Sequence, residues 1–449
     1  MDTGYSFPDL DALQQARERA FAQTMDLVCE RHAHYRALLA ARGLRRTSFS
    51  SLANLRLLPL TQKADYMAAP ERFVLDSEGL PLEMRTVWDT MYTTGSTSGK
   101  PTPFVSTSYD FFNILALQRN MLQLRGVTRD DLIANLFPLT QVPHGAWIRV
   151  LHAAASMNVP VFSALPGNPS SFFTLGNKLD QVVELVALQR ATVLWGVPSF
   201  LYRVLQRAVE MRADFGAVRL VFVTGEAFGE TARTEMQEAL RSAGAAQARI
   251  SVSYGSTEMQ GGMVECVAGS GYHNPLPAQM LVEIVDAETH EPLPDGQRGL
   301  VVLTHLQRRG TVLLRYALGD ISMRTQAQCP HCGAITDRLV EVPRRVDTLL
   351  KIKGMLVNPG AVVQALDEIL GVRPFQLCVL AHSPGHALAS DVLELRVEGG
   401  ADPRLSQRLV TCVKNACGVT PQLAFLPPQA LADTDSSWKS KKFADLRTP

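Results

Sequence analysis

An excess of charge of either sign is what this chain lacks most plainly: 44 Lys and Arg stand against 43 Asp and Glu over 449 residues, a net +1. A nucleic-acid wrapper or a polybasic membrane-surface protein needs more cations than that, so neither nucleic acid nor membrane is expected as a partner. Cysteine is scarce too, seven in all and an odd number. That is too few for a disulfide framework and points to a reducing, cytoplasmic setting. Long apolar runs are missing: the most apolar stretches, 150–162 and 218–223, are too short or too interrupted to cross about 30 Å of hydrocarbon. The first residues are acidic and mixed in charge, unlike the basic and then apolar regions of a signal peptide. Gly (31) and Pro (26) are near average, which excludes collagen-like and low-complexity chains. What is present is 46% hydrophobic, enough for a proper core. At roughly 150 residues per domain the length implies about three domains, or one large and one smaller. A monomer or homodimer is expected, without a feature of the sequence that decides between them.

Residues 9–42 carry apolar side chains at helical spacing and read as one or two amphipathic helices. From 91 to about 254, short β-branched runs at 132–137, 191–195, 220–224 and 250–254 alternate with helical stretches such as 179–188 and 230–241. That alternation predicts a mostly parallel sheet covered by helices. At 280–304 the texture changes to a hairpin of longer strands around a turn containing Pro294-Asp295-Gly296. Beyond Pro343, the run KIKGMLVNPGAVVQALDEIL reads as a strand, a Pro-Gly turn and a helix. A strand at VLELRV, a helix at 405–415 and a strand at 422–426 follow. The expected class is α/β: a large N-terminal domain, 1–343, and a small α+β lobe, 344–449.

The segment Thr93-Thr94-Gly95-Ser96-Thr97-Ser98-Gly99-Lys100 concentrates hydroxyls, glycines and one cation. A loop of this make-up wraps N–H groups and hydroxyls around phosphate oxygens; a solvated turn is its bland alternative. It is no Walker A loop, since only three residues separate Gly95 from Gly99 and Pro101 follows the lysine. Four further motifs follow in order: Tyr254-Gly255-Ser256-Thr257-Glu258; Arg315-Tyr316-Ala317-Leu318-Gly319-Asp320; Arg345-Val346-Asp347 followed by Lys351-Ile352-Lys353-Gly354; and Lys439 within WKSKKFADLR.

The five motifs together resemble the signatures of the adenylate-forming superfamily, the acyl-CoA ligases and nonribosomal adenylation domains, and within it the phenylacetate-CoA ligase branch. The resemblance runs from about Leu58 to the last residue. It implies an AMP-forming acid–thiol ligase that uses ATP and Mg2+: a carboxylate attacks the α-phosphorus, pyrophosphate leaves, and the acyl-AMP is passed to the thiol of CoA or of a carrier-protein phosphopantetheine. The negative charge that gathers in line must be neutralised. The resemblance gives Glu258 to Mg2+, the 93–100 loop to the β- and γ-phosphates, Thr257 to the α-phosphate, and Asp320 with Arg345 to the ribose. Gly225, Glu226, Ala227, Tyr254 and Gly255 would enclose the adenine. Lys439 would reach the reacting oxygens, and the small lobe would be mobile about a hinge at Asp347.

Cys329-Pro330-His331-Cys332 has the spacing of half a zinc site. The branch resembling this chain carries an E-C...H element where Cys266 and His273 stand. The expectation is a closed, structural zinc site of Cys266, His273, Cys329 and Cys332, with His331 as the alternative nitrogen ligand. A redox C-x-x-C needs a strand-to-helix context that 320–340 lacks. Cys29, Cys378, Cys412 and Cys417 read as small core residues.

By the same resemblance the acyl pocket draws on Phe137, His144, Gly145, Trp147, Trp195, Gly196 and Pro198. An apolar, aromatic slot with one histidine suits a flat aromatic acid such as a benzoate, anthranilate or phenylacetate. A second reading stays open. Arg344 stands where the hinge usually has glycine, and Trp438 where glycine usually precedes the lysine, so a member that lost adenylation and moves acyl groups between CoA and a carrier protein is the alternative.

Overall fold

The computed structural model describes residues 3–93, 101–139, 145–167, 176–226, 228–345, 350–352, 355–380, 391–428, 430–431 and 442–447, without the side chains of 344, 345, 351, 355 and 356. Of the expected site residues, Thr94, Gly95, Ser96, Thr97, Ser98, Gly99, Lys100, His144, Ala227, Asp347 and Lys439 lie outside the described residues. Among the described residues no helix is long and apolar enough to cross a membrane. The chain divides into two units, one made of Met1–Asp131, Val142–Val161 and Ser251–Arg345, the other of Leu132–Gln141, Phe162–Ile250 and Val346–Pro449.

The first unit is organised by antiparallel pairing. Strands Met280–Val285, Arg298–His305 and Tyr316–Thr325 form a meander, and the first two are the hairpin expected from the change of texture near 280. Tyr316–Thr325 continues through the two-residue strands Arg338–Leu339 and Tyr272–His273 to Gly261–Val264, which pairs with the end of Arg249–Ser256. A separate hairpin, Val87–Tyr92 with Pro103–Thr107, brackets the glycine-rich loop. Its second strand runs into helix Ser108–Leu124 through a capping box, in which Thr107 Oγ1 accepts from Asp110 N–H (3.3 Å) and Asp110 Oδ2 from Thr107 N–H (2.9 Å). The amphipathic N-terminal segment forms two helices, Leu10–Arg31 and Ala33–Ala41.

An ion pair fastens the first of those helices to the sheet. Arg17 contacts Asp337 with both side chains essentially sequestered, 2% and 0% exposed. Arg17 Nε donates to the Pro277 carbonyl (2.8 Å), and Asp337 also accepts from Gln326 Nε2 (2.8 Å) and Asn274 Nδ2 (3.3 Å). Both charges are thus surrounded by hydrogen-bond partners, the condition under which a buried pair is tolerated.

In the second unit the strands Ile133–Asn135, Val193–Gly196 and Leu220–Val223 run parallel, as the alternating pattern predicts, and every residue of them is buried. Helices Leu179–Gln189, Pro198–Met211 and Glu230–Ser242 separate or follow them. Beyond residue 346, strand Phe375–Leu380 lies between the antiparallel Val392–Glu398 and the parallel Phe443–Asp445, and Val392–Glu398 also pairs with Gln422–Leu426. Helices Pro359–Leu370 and Pro403–Cys417 cover this sheet around a core that includes Ile352, Val362, Leu366, Leu377, Leu393 and Leu409. Two expectations are corrected here. Pro359-Gly360 is not a turn but the first two positions of a helix, where proline's fixed φ and missing N–H fit, with Asn358 as its cap accepting from Ala361 N–H (2.9 Å). KIKGMLV is not one strand but a hairpin, Leu350–Ile352 with Met355–Val357.

Asp337→Ala leaves the Arg17 guanidinium buried without its counter-charge. It is expected to lower unfolding stability by about 3–5 kcal/mol in denaturant titrations, with Arg17→Met/Asp337→Leu recovering most of the loss. Equal losses in the single and double variants would show that the pair does not act as described.

Candidate active site

Glu258 is delivered by the strand Arg249–Ser256. Gly255 pairs with Gly262 across the ladder, and a Cβ on Gly255 would collide with the Gly261 carbonyl oxygen. The two strands therefore approach as closely as glycines permit. The chain then makes one tight helical turn, Thr257–Met259. Thr257 Oγ1 reaches the Tyr92 carbonyl (3.5 Å), and Glu258, only 4% exposed, accepts the Tyr316 hydroxyl at Oε1 (2.8 Å). Its backbone is clamped as well. His305 accepts Leu313 N–H at Nδ1 (3.1 Å), which leaves its proton on Nε2, 2.9 Å from the Glu258 carbonyl. Burial pushes the His305 pKa down to about 3, so the ring is neutral. Burial and then the Glu258 charge push the Tyr66 phenol above its usual range.

The neck of the glycine-rich loop is closed beside this turn. Thr93 N–H donates to the Thr102 carbonyl and Thr102 N–H to Thr93 Oγ1, both at 3.0 Å. Tyr66 donates to the Pro103 carbonyl (2.6 Å). Tyr92, Thr93, Thr257 and Glu258 are thus held within one neighbourhood.

Asp320 owes its direction to an irregularity. Between the pairs Leu300–Ile321 and Val302–Ala317 the register shifts, and Gly319 takes φ +81° there. Glycine precedes the aspartate because an L side chain is strained at that φ. Asp320 accepts the Tyr254 hydroxyl (2.7 Å) and lies opposite Arg345 in the backbone ladder. The structure therefore brings together Tyr254, Asp320 and the Arg345 backbone. Arg315, the first residue of that motif, is structural: it is buried and donates to the carbonyls of Leu58 (2.7 Å), Arg56 (3.1 Å) and His290 (2.5 Å).

In the second unit Gly225, at φ +94°, and Glu226 follow Leu220–Val223. Glu226 accepts Ser199 N–H (3.1 Å) and Oγ–H (2.9 Å) at the start of the helix opened by Pro198, where a carboxylate is favoured by the helix dipole. Trp195 is buried edge-on to Phe222, with centroids 5.4 Å apart, and Phe137 is buried. A Cβ on Gly196 would press on Leu136 and Leu201, both at 3.3 Å. In the first unit Gly145 opens the helix Gly145–Met157, which carries Trp147 half-buried.

The expected metal ligands converge. The ligand atoms of Cys266, His273, Cys329 and Cys332 all lie within 4.8 Å of one another. Cys266 Sγ is 3.9 Å from Cys329 Sγ, and Cys332 Sγ is 3.4 Å from His273 Nε2. His273 Nδ1 lies 3.2 Å from the Val264 carbonyl. Donating there fixes the tautomer that leaves a lone pair on Nε2, facing the sulfurs, as in ligating histidines generally. The hydrogen bond from Cys332 drives the Cys266 thiol below its usual range against the effect of burial. His331, the alternative nitrogen, is exposed and not part of the group. All seven cysteines are free thiols.

Residues 82–307, half of the chain, match the family described as AMP-binding enzyme. The chain belongs to that family. It is 26% identical to the phenylacetate-coenzyme A ligase of Thermus thermophilus, across 98% of this chain and 99% of that protein. It is 23% identical to the Escherichia coli enzyme of the same name, across 87% and 83%. Among solved structures it shares the fold of a 2-hydroxyisobutyryl-CoA ligase in its postadenylation state, with TM-score 0.77, 19% identity, and 99% of this chain and 91% of that one covered. The resemblance carried by the motifs, to adenylate-forming enzymes of the phenylacetate-CoA ligase-like branch, is borne out, and so are the α/β class and the AMP-forming acid–thiol ligase class.

What the motifs did not announce are Tyr316 as a partner of Glu258, and His305, Tyr66 and Arg149, which belong to no motif. Their only signal was to be polar residues inside apolar strands and helices. His305 carries a prediction. Its pKa is about 3 when folded against 6.5 when free, so as pH falls below about 6.5 the unfolded chain takes a proton that the folded one refuses, and stability drops. His305→Gln is expected to reduce the pH slope of unfolding stability between pH 5 and 6 by about 1 kcal/mol per unit. An unchanged slope would mean that the ring is not buried neutral.

Proposed function

We propose that the protein activates a small aromatic carboxylic acid with ATP and transfers the acyl group to a thiol, that of CoA or of a carrier-protein phosphopantetheine. The observation that carries this reading is Glu258, a buried carboxylate set beside the neck of a glycine-rich loop whose composition suits phosphate. In the first half-reaction a carboxylate oxygen bonds to the α-phosphorus while the bond from that phosphorus to the bridging oxygen breaks and pyrophosphate departs. Glu258 would hold Mg2+, whose chemistry is to neutralise the phosphate charge. Thr257 would contact the α-phosphate, and residues 93–100 the outgoing phosphates. Asp320, oriented by Tyr254, would accept hydrogen bonds from the ribose hydroxyls. Lys439 would supply the remaining cation at the reacting oxygens and leave with the lobe, hinged at Asp347, before the thiol attacks the acyl carbonyl and AMP is released. Aromatic substrates are favoured by the names of the relatives and by the aromatic make-up of the segments around Phe137, Trp147 and Trp195. The cytoplasm suits an enzyme with seven free thiols.

The four-ligand cluster we read as a structural zinc site with no open position. Its donor set, three sulfurs and an imidazole nitrogen with a fixed tautomer, fits zinc and leaves no position for substrate.

Pyrophosphate release measured over benzoates, phenylacetates, anthranilates and short aliphatic acids tests the activity. Release with one or more aryl acids is expected, dependent on Mg2+ and reduced about a hundredfold or more by Lys439→Ala. No release with any acid, or release undiminished by Lys439→Ala, overturns the reading. Metal analysis tests the cluster: about one zinc per chain is expected, falling steeply in Cys329→Ser. Less than about half an equivalent, unaffected by that substitution, removes zinc from the account.

A further inference from the structure

We propose that Arg149 is a positioning residue that locks the Glu258 turn to the stem of the glycine-rich loop, and so sets how strongly Mg2+ enhances the binding of ATP. The inference rests on the reading of Glu258 as the metal-binding carboxylate. Arg149 lies one turn into the helix Gly145–Met157 and is buried. Its guanidinium meets three acceptors on three segments. Nη2 donates to Asp89 Oδ2 (3.0 Å) on the strand Val87–Tyr92, which leads into the loop neck at Thr93. The same nitrogen donates to Gln260 Oε1, directly after the Glu258 turn. Nη1 donates to His152 Nδ1 (2.9 Å) on its own helix.

Gln260 is where this arrangement has consequences. Its φ of +56° is unusual for a residue other than glycine and persists only when surroundings over-determine it. They do so here. Gln260 N–H and Nε2 both donate to the Thr257 carbonyl, at 3.0 and 2.6 Å, closing the turn on itself. Its own carbonyl accepts from Gln118 Nε2 (3.0 Å), and its side-chain oxygen accepts from Arg149 Nη2. The turn that aims Glu258 is therefore held at its exit by a side chain that Arg149 holds in turn.

The electrostatics favour a single arrangement. Among the described residues Asp89 is the one carboxylate hydrogen-bonded to Arg149, and Arg308 is the like charge that opposes it. Burial, then the Arg149 charge, push His152 down to about 4, so its Nδ1 remains an acceptor. The His152 ring packs edge-on to Phe111 (4.9 Å), which stacks on Trp88 (4.4 Å) next to Asp89. A planar fork is required to reach these acceptors at once; an ammonium is a point charge on a flexible stem.

The test is equilibrium binding of ATP to the full chain by titration calorimetry, in Mg2+ and in EDTA, for the wild type, Arg149→Met, Arg149→Lys and Gln260→Gly. The wild type is expected to bind more tightly with Mg2+. Arg149→Met is expected to lose about tenfold of that enhancement, while binding in EDTA changes by less than about threefold. Arg149→Lys should regain part of it. Gln260→Gly removes the link while relieving the backbone strain, so it keeps the test decisive should Arg149→Met fail to fold, and the same loss is expected. An unchanged ratio of affinities in a folded Arg149→Met or Gln260→Gly variant overturns the inference and leaves the adenylation reading standing. A wild type whose ATP binding is indifferent to Mg2+ removes both.

Discussion

A carboxylate that is out of water yet must stay aimed is the constraint around which the first unit is built. An isolated buried charge costs several kcal/mol, and a carboxylate that is free to turn away relieves that cost by leaving its site. Glu258 is prevented from doing so at three levels. Tyr316 holds its side chain, His305 its carbonyl, and the Thr257 and Gln260 contacts hold the turn in which it sits. Those partners begin one strand of the antiparallel sheet, end another, and flank the turn itself. Long strands matter here less for their length than for where their ends fall. The glycine pair Gly255–Gly262 belongs to the same account, because a wider ladder would set the turn farther from Tyr316.

The sheet that does this positioning contains two links too short to be stable alone. Tyr272–His273 and Arg338–Leu339 are two residues each, whereas strands usually need five or six and neighbours on a hydrophobic face. Side chains supply what the ladder does not. His273 ends one link and Cys266 lies before it; Cys329 and Cys332 lie before the other; Asp337, adjacent to Arg338, carries the Arg17 pair and the Asn274 and Gln326 hydrogen bonds. The Cys/His cluster and the buried ion pair thus both lie in or beside the same short strands.

Sequence pattern revealed the parts whose cause is local. The parallel strands Val193–Gly196 and Leu220–Val223 are apolar because both faces are covered, and the hairpin around Pro294-Asp295-Gly296 is marked by its turn. Helix Ser108–Leu124 was not legible, because its buried face includes Asp110, Asn113, Gln118 and Asn120, which break the apolar stripe. Each of those polar residues is engaged by a partner far along the chain, for instance Asn120 with the Pro275 carbonyl. The site divides in the same way. Glu258, Asp320 and the cysteines stood in short motifs. Tyr316, read only as a letter of its motif, and His305 and Arg149, in no motif at all, work through contacts that span tens to hundreds of residues. Arg315 shows the converse, a motif residue whose reason is structural.

The same distinction sorts the lysines at the end of the chain. Lys439, Lys441 and Lys442 are near neighbours of equal chemistry. Lys442 is committed: its ammonium lies 2.5 Å from Asp367 Oδ1 and over the Phe375 ring, 5.2 Å from the centroid. Burial pushes the Asp367 carboxyl up while Lys442 pulls it back down, so each group is what makes the other's charge tolerable in that place. The pair joins the helix Pro359–Leu370 to the start of Phe443–Asp445, whose parallel pairing with Phe375–Leu380 it thereby fixes in register. A lysine with that duty cannot also travel to a phosphate without undoing the edge of its own sheet. The catalytic task proposed for the tail consequently falls to a lysine on the N-terminal side of this anchor, where the motif sets Lys439.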